Sequence, residues 1–338
     1  MLHILVPSKN NYDTLLKQVK VFNEVFNDTS DIKVIVLDNS QEENYQVKEL
    51  CHKNNWIYDI SYEQLSVADN FNRGIDFIRD KDGYSVFIGD DDFVTKEALK
   101  ICNHLEKNNI SVFRPIFKSF VYWKGFSSRR GEVRCDFEVR QNNFLLQNAH
   151  KIIKQYIFND INKCDGPQFN LIPSFYHCIF SNKIAKTFSF GPFAPDSYSA
   201  GFLQRQNSSY MIKVSDAILP GSAPKSSSAY TAIKDGFDTF QSHAHTNAFL
   251  KCECLPELGG ISYLSDNIWY LSFCAGFNGY RSAAEFTMQD INALSNYRIS
   301  KLLKIYKKGF SFASALTIKK NKYGVTDFIS YLKKGYKE

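Results

Sequence analysis

No run of about 18 uninterrupted apolar residues occurs in the 338-residue chain, and a helix needs roughly that length to cross a bilayer. The start, Met1-Leu2-His3-Ile4-Leu5-Val6-Pro7, lacks a charged region leading into a full apolar segment and cleavage site, so no secretory leader is expected. Eight cysteines are scattered without a CxxC pair, which argues against a disulfide framework and suits reduced thiols in a cytoplasm. There is no internal repeat, no long low-complexity tract and no basic stripe of the kind that binds nucleic acid. A Walker A loop is also missing, because Gly221-Ser222-Ala223-Pro224-Lys225 has no glycine directly before the lysine.

What the chain does have is apolar and aromatic substance: 44% hydrophobic and 15% aromatic residues. That is enough for well-packed cores, with Phe and Tyr to spare for a ligand cleft or an interface. The net charge of +6 is uneven. Residues 301–338 carry ten lysines against Asp327 and Glu338, a net +8, which leaves the first 300 residues near −2. With Leu302, Leu303, Ile305, Phe310, Phe328, Ile329 and Leu332 interleaved, this basic segment reads either as a peripheral contact with an anionic membrane or as a helical surface with a solvated lysine face.

The first 115 residues alternate strand and helix signals. Apolar runs at Leu2–Val6, Ile32–Leu37, Trp56–Ile60, Ser85–Ile88 and Ile110–Phe113 read as strands. Helical spacing recurs from Tyr12 to Phe26, from Val47 to Asn54, from Val67 to Ile78 and after a Thr95 cap. Such a series implies an α/β fold with a mostly parallel sheet flanked by helices, whose ligands bind at the carboxyl ends of the strands. Beyond Pro115 the pattern loosens. Lys124–Arg140 reads as a hairpin or loop, Phe144–Phe158 as a helix and residues 160–260 as proline-punctuated loops. Helices return at Ile261–Phe277, Ala283–Tyr306 and Thr326–Lys334. The expected divisions are 1–115, 116–260 and a helical 261–338 with its basic tail.

The most informative stretch is Tyr84-Ser85-Val86-Phe87-Ile88-Gly89-Asp90-Asp91-Asp92. Three carboxylates at the mouth of a buried strand repel one another and call for a cation; Mg²⁺ and Mn²⁺ take such oxygen ligands. A solvated acidic turn is the plain alternative.

Three segments resemble the family 2 glycosyltransferases of the GT-A fold. Ile4-Leu5-Val6-Pro7-Ser8-Lys9-Asn10 is similar to the family's "IIPTYN" opening, and Val34-Ile35-Val36-Leu37-Asp38-Asn39-Ser40 to its "VIVVDNGS" strand. Ala68-Asp69-Asn70-Phe71-Asn72-Arg73-Gly74-Ile75 together with the triplet stretch is similar to its "ARNxG…GxYxxFLDDD" block. A fourth segment, Phe193-Ala194-Pro195-Asp196-Ser197-Tyr198-Ser199-Ala200, resembles the "PDxYSA" of bacterial cell-surface members.

The resemblance implies transfer of a sugar from a nucleotide-diphosphate donor, a UDP-sugar foremost, to a saccharide or lipid-linked glycan acceptor. The setting would be surface polysaccharide synthesis (O-antigen, lipooligosaccharide or capsule) at the cytoplasmic face of the membrane, by an inverting, Mn²⁺- or Mg²⁺-dependent reaction. It places Asp92 on the metal, Asp90 or Asp91 on the ribose or the metal shell, Asp38 on the nucleobase or ribose, and Pro7, Ser8 and Asn70 along the nucleotide. Asp69 stands where the family has an arginine, and Arg73 is the substitute for its phosphate contact. Asp196 becomes the general base, with Asp165 and Asp216 in reserve; equally, Pro-Asp-Ser suits a helix cap.

His243 and His245, followed by Cys252 and Cys254, fit no common zinc finger. They read as loop residues, as a zinc or copper site, or as a completion of the triplet's metal shell. Tyr122, Trp123 and Phe126 beside Lys124, Arg129 and Arg130 suit sugar stacking or core packing. The rival functions are a sugar nucleotidyltransferase and a catalytically silent binder of carbohydrate or nucleotide.

Overall fold

The computed structural model describes residues 1–63, 65–128, 131–142, 172–191, 194–206, 208–225, 272–281, 285 and 317–334. Strands β1 (Leu2–Ser8), β2 (Ile32–Asp38), β3 (Ile57–Ile60) and β4 (Tyr84–Phe87) alternate with helices α1 (Tyr12–Phe26), α2 (Tyr45–Lys53) and α3 (Val67–Ile78). After the triplet come β5 (Phe93–Val94), α4 (Glu97–Lys107), β6 (Val112–Phe117), β7 (Ser119–Trp123), β8 (Ser127–Ser128), β9 (Gly131–Glu132) and β10 (Phe137–Asn142). Then follow β11 (Ile179–Ser181), a short helix Asn182–Ala185, helix Pro195–Arg205, β12 (Tyr210–Ser215), β13 (Ile218–Leu219), β14 (Gly221–Ser222), a helical stretch 272–278, β15 (Thr317–Tyr323) and helix Val325–Lys334.

The main sheet runs β12-β6-β11-β4-β1-β2-β3. It is the expected mostly parallel sheet: only β11 runs antiparallel, against β4 and β6. Its strands divide their side chains with period two. Leu2, Ile4, Val6, Val34 and Val36 join the core formed with α1, α2 and α4. Leu5, Ile35, Leu37 and Phe87 face the opposite core with α3, Phe175, Phe188 and Phe190. Much of the aromatic surplus is spent there, in stacked or edge-on pairs such as Phe71–Phe87 at 4.8 Å and Phe175–Phe180 at 4.2 Å.

A second sheet, β14-β7-β10-β15, lies across the triplet. One of its faces carries Trp123 and Phe137, which stack with Phe93 and Phe328. The core under β1 and β4 therefore also holds Phe137, Leu219, Phe328 and Leu332, and the divisions at 115 and 260 do not separate independent cores.

Several expectations shift in detail. β6 extends through Pro115 to Phe117. Proline is tolerated because β11 pairs only with Val112 and Phe113, so the edge beyond them needs no donor. The charged 124–140 stretch contains a hairpin, β8 against β9. Helix Pro195–Arg205 starts at Pro195 with Ala194 as its N-cap, so Asp196 sits in the first turn and is not the cap. Tyr122 and Phe126 pack together at 5.3 Å, and Trp123 is buried.

The basic end divides too. Lys320 and Lys322 lie on β15, which is last in the second sheet among the described residues, where lysines discourage strand addition. On the last helix, Phe328 and Leu332 are fully buried in the core, whereas Leu302, Leu303, Ile305 and Phe310 lie outside the described residues. Among the described residues no helix is long and apolar enough to cross a membrane. The expected helices Phe144–Phe158 and Ala283–Tyr306, together with Asp165, His243, His245, Cys252 and Cys254, lie outside the described residues.

Candidate active site

The parallel register fixes where the chemistry gathers. β1 and β2 pair Ser8 with Asp38, β1 and β4 pair Leu5 with Phe87, and the amide of Ile88 donates to the Leu5 carbonyl. The ends of β1, β2 and β4 therefore present Ser8, Asp38 and the triplet on one side of the sheet. Segment 175–177 runs beside the end of β4, where the His177 amide donates to the Phe87 carbonyl (2.9 Å), and brings Tyr176 and His177 to the same place.

Each carboxylate of the triplet has its own partners. Asp90 accepts from Ser8 Oγ (2.6 Å) and Asn11 Nδ2 (2.8 Å). Asp91, 7% exposed, accepts from the Ala223 amide (3.2 Å). Asp92, 2% exposed, accepts from His177 Nε2 (2.6 Å), Tyr176 Oη (3.3 Å) and the amides of Gly89 (2.5 Å) and Gly221 (2.7 Å). The mutual repulsion that seemed to demand a cation is thus met largely by protein donors. Desolvation, with Asp92 and Asp38 nearby, pushes Asp90 up to about 6 despite its two hydrogen bonds. Asp92 is desolvated as well, but His177 and the two amides outweigh that and hold it below the usual carboxylate range.

Two glycines make this packing feasible. A Cβ on Gly89 would lie 2.9 Å from Asp91 Oδ1 and 3.0 Å from Tyr176 Oη. One on Gly221 would lie 1.8 Å from the Asp91 carbonyl oxygen. The Gly221-Ser222 turn is therefore a short strand wedged against the triplet, paired in parallel with Val121 and Tyr122.

As arranged, these groups do not form a metal-ligand set. Asp90, Asp91 and Asp92 are directed at three separate groups of donors, and four hydrogen bonds occupy the Asp92 carboxylate. Among the described residues no group of three or more His, Cys, Asp or Glu is placed to hold an ion.

The remaining sequence candidates fall as follows. Asp38 has no exposed surface and accepts from the Ser40 amide (3.0 Å) and Tyr58 Oη (2.6 Å); it shapes the turn beneath the site. Burial and Asp38 raise the Tyr58 phenol well above its ordinary range. Pro7 is a half-buried member of β1 beside Leu37. Asn70 donates to the Leu37 carbonyl (3.1 Å) and accepts from Arg73 (2.7 Å).

Arg73 spends all five guanidinium N–H groups inside the protein, on the Asp59 carboxylate and carbonyl, the Asp38 carbonyl and Asn70. In this structure it stitches β2, β3 and α3 together and has no donor left for a phosphate, which corrects the substitution expected of it. At the start of α3 the Ser66 hydroxyl caps the helix, accepting from the Asp69 amide (3.1 Å) and donating to the Asp69 carboxylate (2.6 Å). Asp216 is buried, accepts from Tyr331 Oη (3.2 Å) and ties the last helix to β12.

Asp196 lies within electrostatic range of Tyr176. Its field, with those of Asp90, Asp91 and Asp92, acts on the Tyr176 phenol, which desolvation and these charges push far up. Burial raises Asp196 itself, while the Ser197 amide (2.8 Å), His177 and Arg114 pull it back.

Tyr176 and His177 carried no motif and went unnoticed in the sequence. The geometric clue is that His177 adopts φ +56°, in the left-handed region where non-glycine residues are uncommon. Its ring lies between Tyr176 (4.0 Å, stacked) and Phe117 (5.6 Å, edge-on). Asn11 was also missed, although it directly follows the quoted Pro7–Asn10 segment.

No protein-family model and no curated protein matches the chain. Among solved structures, S. aureus TarS aligns at 13% identity and TM-score 0.44 over 90% of this chain and 54% of that one. Residues 1–349 of TarS align at 14% and 0.44 over 95% and 96%. Mannosyltransferase PcManGT from Pyrobaculum calidifontis, in complex with GDP-Man and Mn²⁺, aligns at 10% and 0.41 over 90% and 87%. The chain spans about half the length of the longer TarS chain. Likeness at this depth carries no conclusion about activity.

Proposed function

We propose that this chain transfers a sugar from a nucleotide-diphosphate donor to a hydroxyl of a saccharide or lipid-linked glycan, with UDP-sugars the first donors to test. What supports this reading is the gathering of Ser8, Asp38 and the triplet at the carboxyl ends of β1, β2 and β4, with Asp196, from a separate helix more than 100 residues later, close enough for its charge to act on the Tyr176 phenol that also contacts Asp92. Donor binding and proton removal call for such a division, with one acidic set at the nucleotide end and an independent carboxylate at the acceptor.

Asp196 acts as the general base. Burial raises its proton affinity, which favours capture of the acceptor proton, while His177 and Arg114 keep the ionised form accessible. Attack by that hydroxyl on the face opposite the leaving nucleotide inverts the anomeric centre. Ser8 and Asn11 hold Asp90 at the donor end. Because the carboxylates are not arranged as metal ligands, no step is assigned to Mn²⁺ or Mg²⁺, and dependence on either is left to the assay. The setting in bacterial surface polysaccharide synthesis rests on the sequence resemblance alone.

The test is thermal unfolding with UDP, GDP, CDP, CMP and dTDP, each with EDTA or Mn²⁺, followed by donor hydrolysis with the matching nucleotide sugars. Ligand at 100 times its dissociation constant adds about 2.7 kcal/mol, a shift of several degrees. We expect one nucleotide to stabilise the protein. Asp196→Asn should keep that shift and lose at least 100-fold in turnover. No shift with any nucleotide, or full turnover in Asp196→Asn, overturns the reading.

A further inference from the structure

Two residues outside the carboxylate set hold the main chain of the triplet. Gln18 lies in the mostly apolar buried face of α1 among Leu15, Val19 and Phe22 and has no exposed surface. Its Nε2 donates to the carbonyls of both Gly89 (2.8 Å) and Asp92 (2.6 Å). These are the two ends of a turn that the Asp92 amide closes onto the Gly89 carbonyl at 3.2 Å. Reversing the amide would set its oxygen against two carbonyls, so the donor assignment follows from the contacts. Its Oε1 is left buried without a partner.

From the opposite side, Trp123 of β7 donates its indole N–H to the Asp91 carbonyl (2.7 Å) while its ring stacks on Phe93 at 5.3 Å. Three of the four carbonyls in the Gly89–Asp92 turn are thereby fixed by side chains that touch none of its carboxylates.

We propose that Gln18 and Trp123 are positioning residues: their donors preset the Gly89–Asp92 turn so that its carboxylates stand ready for the donor nucleotide. A buried amide with an orphaned oxygen is a liability in an apolar stripe, where leucine or methionine would pack without one. Its retention fits a demand on the turn that core packing alone would not make.

The consequence for binding rests on the glycosyltransferase reading; the consequence for the turn does not. Gln18→Met removes one donor at nearly constant volume, and Trp123→Phe removes the indole N–H while keeping an aromatic ring, at some loss of volume. Hydrogen exchange should quicken in peptides covering 89–93 and 219–223 in both variants, with β1 and β2 unchanged. Affinity for whichever nucleoside diphosphate stabilises the wild type should fall at least tenfold. Unchanged exchange in both variants, or faster exchange with unaltered affinity, overturns the proposal. If the wild type binds no nucleotide, the functional reading fails, and the exchange data alone decide whether the two donors set the turn. Two variants at separate positions guard against a single misfolded one.

Discussion

Asp90 shows how one residue links the site to the stability of the whole chain. Its ordinary pKa is 3.8 and its folded value about 6. Between those values the folded chain holds a proton that the unfolded chain releases, so stability falls as pH rises across that window, by up to about 3 kcal/mol. Asp90→Asn should flatten the wild-type profile there, as measured by urea unfolding in EDTA; an unchanged slope would mean that folding does not raise the proton affinity of Asp90.

The same residues show what the sequence could and could not yield. The DDD stretch, its strand and the joining of β1, β2 and β4 were legible, because apolar runs with period two and parallel connectivity dictate them. Asp196 was legible only through a resemblance. The partners of Asp92 were not legible, since Gly221, Tyr176 and His177 come from segments without regular patterning and meet the triplet only after folding. Arg73 was misjudged because its charge was visible and its five internal acceptors were not.

At the level of elements, Asp196, the proposed base, is carried by a helix held at very short range. The 272–278 helical stretch crosses helix Pro195–Arg205 where each has a glycine. A Cβ on Gly276 would lie 1.8 Å from the Tyr198 carbonyl oxygen, and one on Gly201 would lie 2.0 Å from that of Phe273. Ser272 Oγ accepts from the Ala194 amide (3.1 Å), fixing the start of the Asp196 helix. Gly276→Ala should therefore force the helices apart and cost about 1–3 kcal/mol, with a lower unfolding midpoint and a larger fractional loss of turnover than of nucleotide affinity. A midpoint equal to that of the wild type would exclude so close a crossing. Neither glycine stood out in the sequence, because a glycine inside a helix marks a close approach only once its partner is known.

For the whole molecule, the last described helix belongs to the first core. Phe328 lies 4.8 Å from Phe93 and 4.3 Å from Phe137, fully buried, and the Lys96 amide donates to the Leu332 carbonyl. Phe328→Ala should cost about 3–5 kcal/mol and be read as a large drop in urea midpoint. A surface-sized effect would place the helix outside the core. The helical 326–334 pattern was plain in the sequence; its destination was not, since periodicity fixes which face is apolar and leaves the partner open.

That destination sets a schedule for synthesis. Phe93 leaves the ribosome some 240 residues before Phe328, and at about 5–20 residues per second the interval is roughly 10–50 s. Over that time the nascent chain carries Phe93, joined in turn by Trp123 and Phe137, without the ring that completes their cluster. Aromatic surface left exposed in this way is what makes an unfinished chain prone to aggregation, and here it is covered once Phe328 emerges.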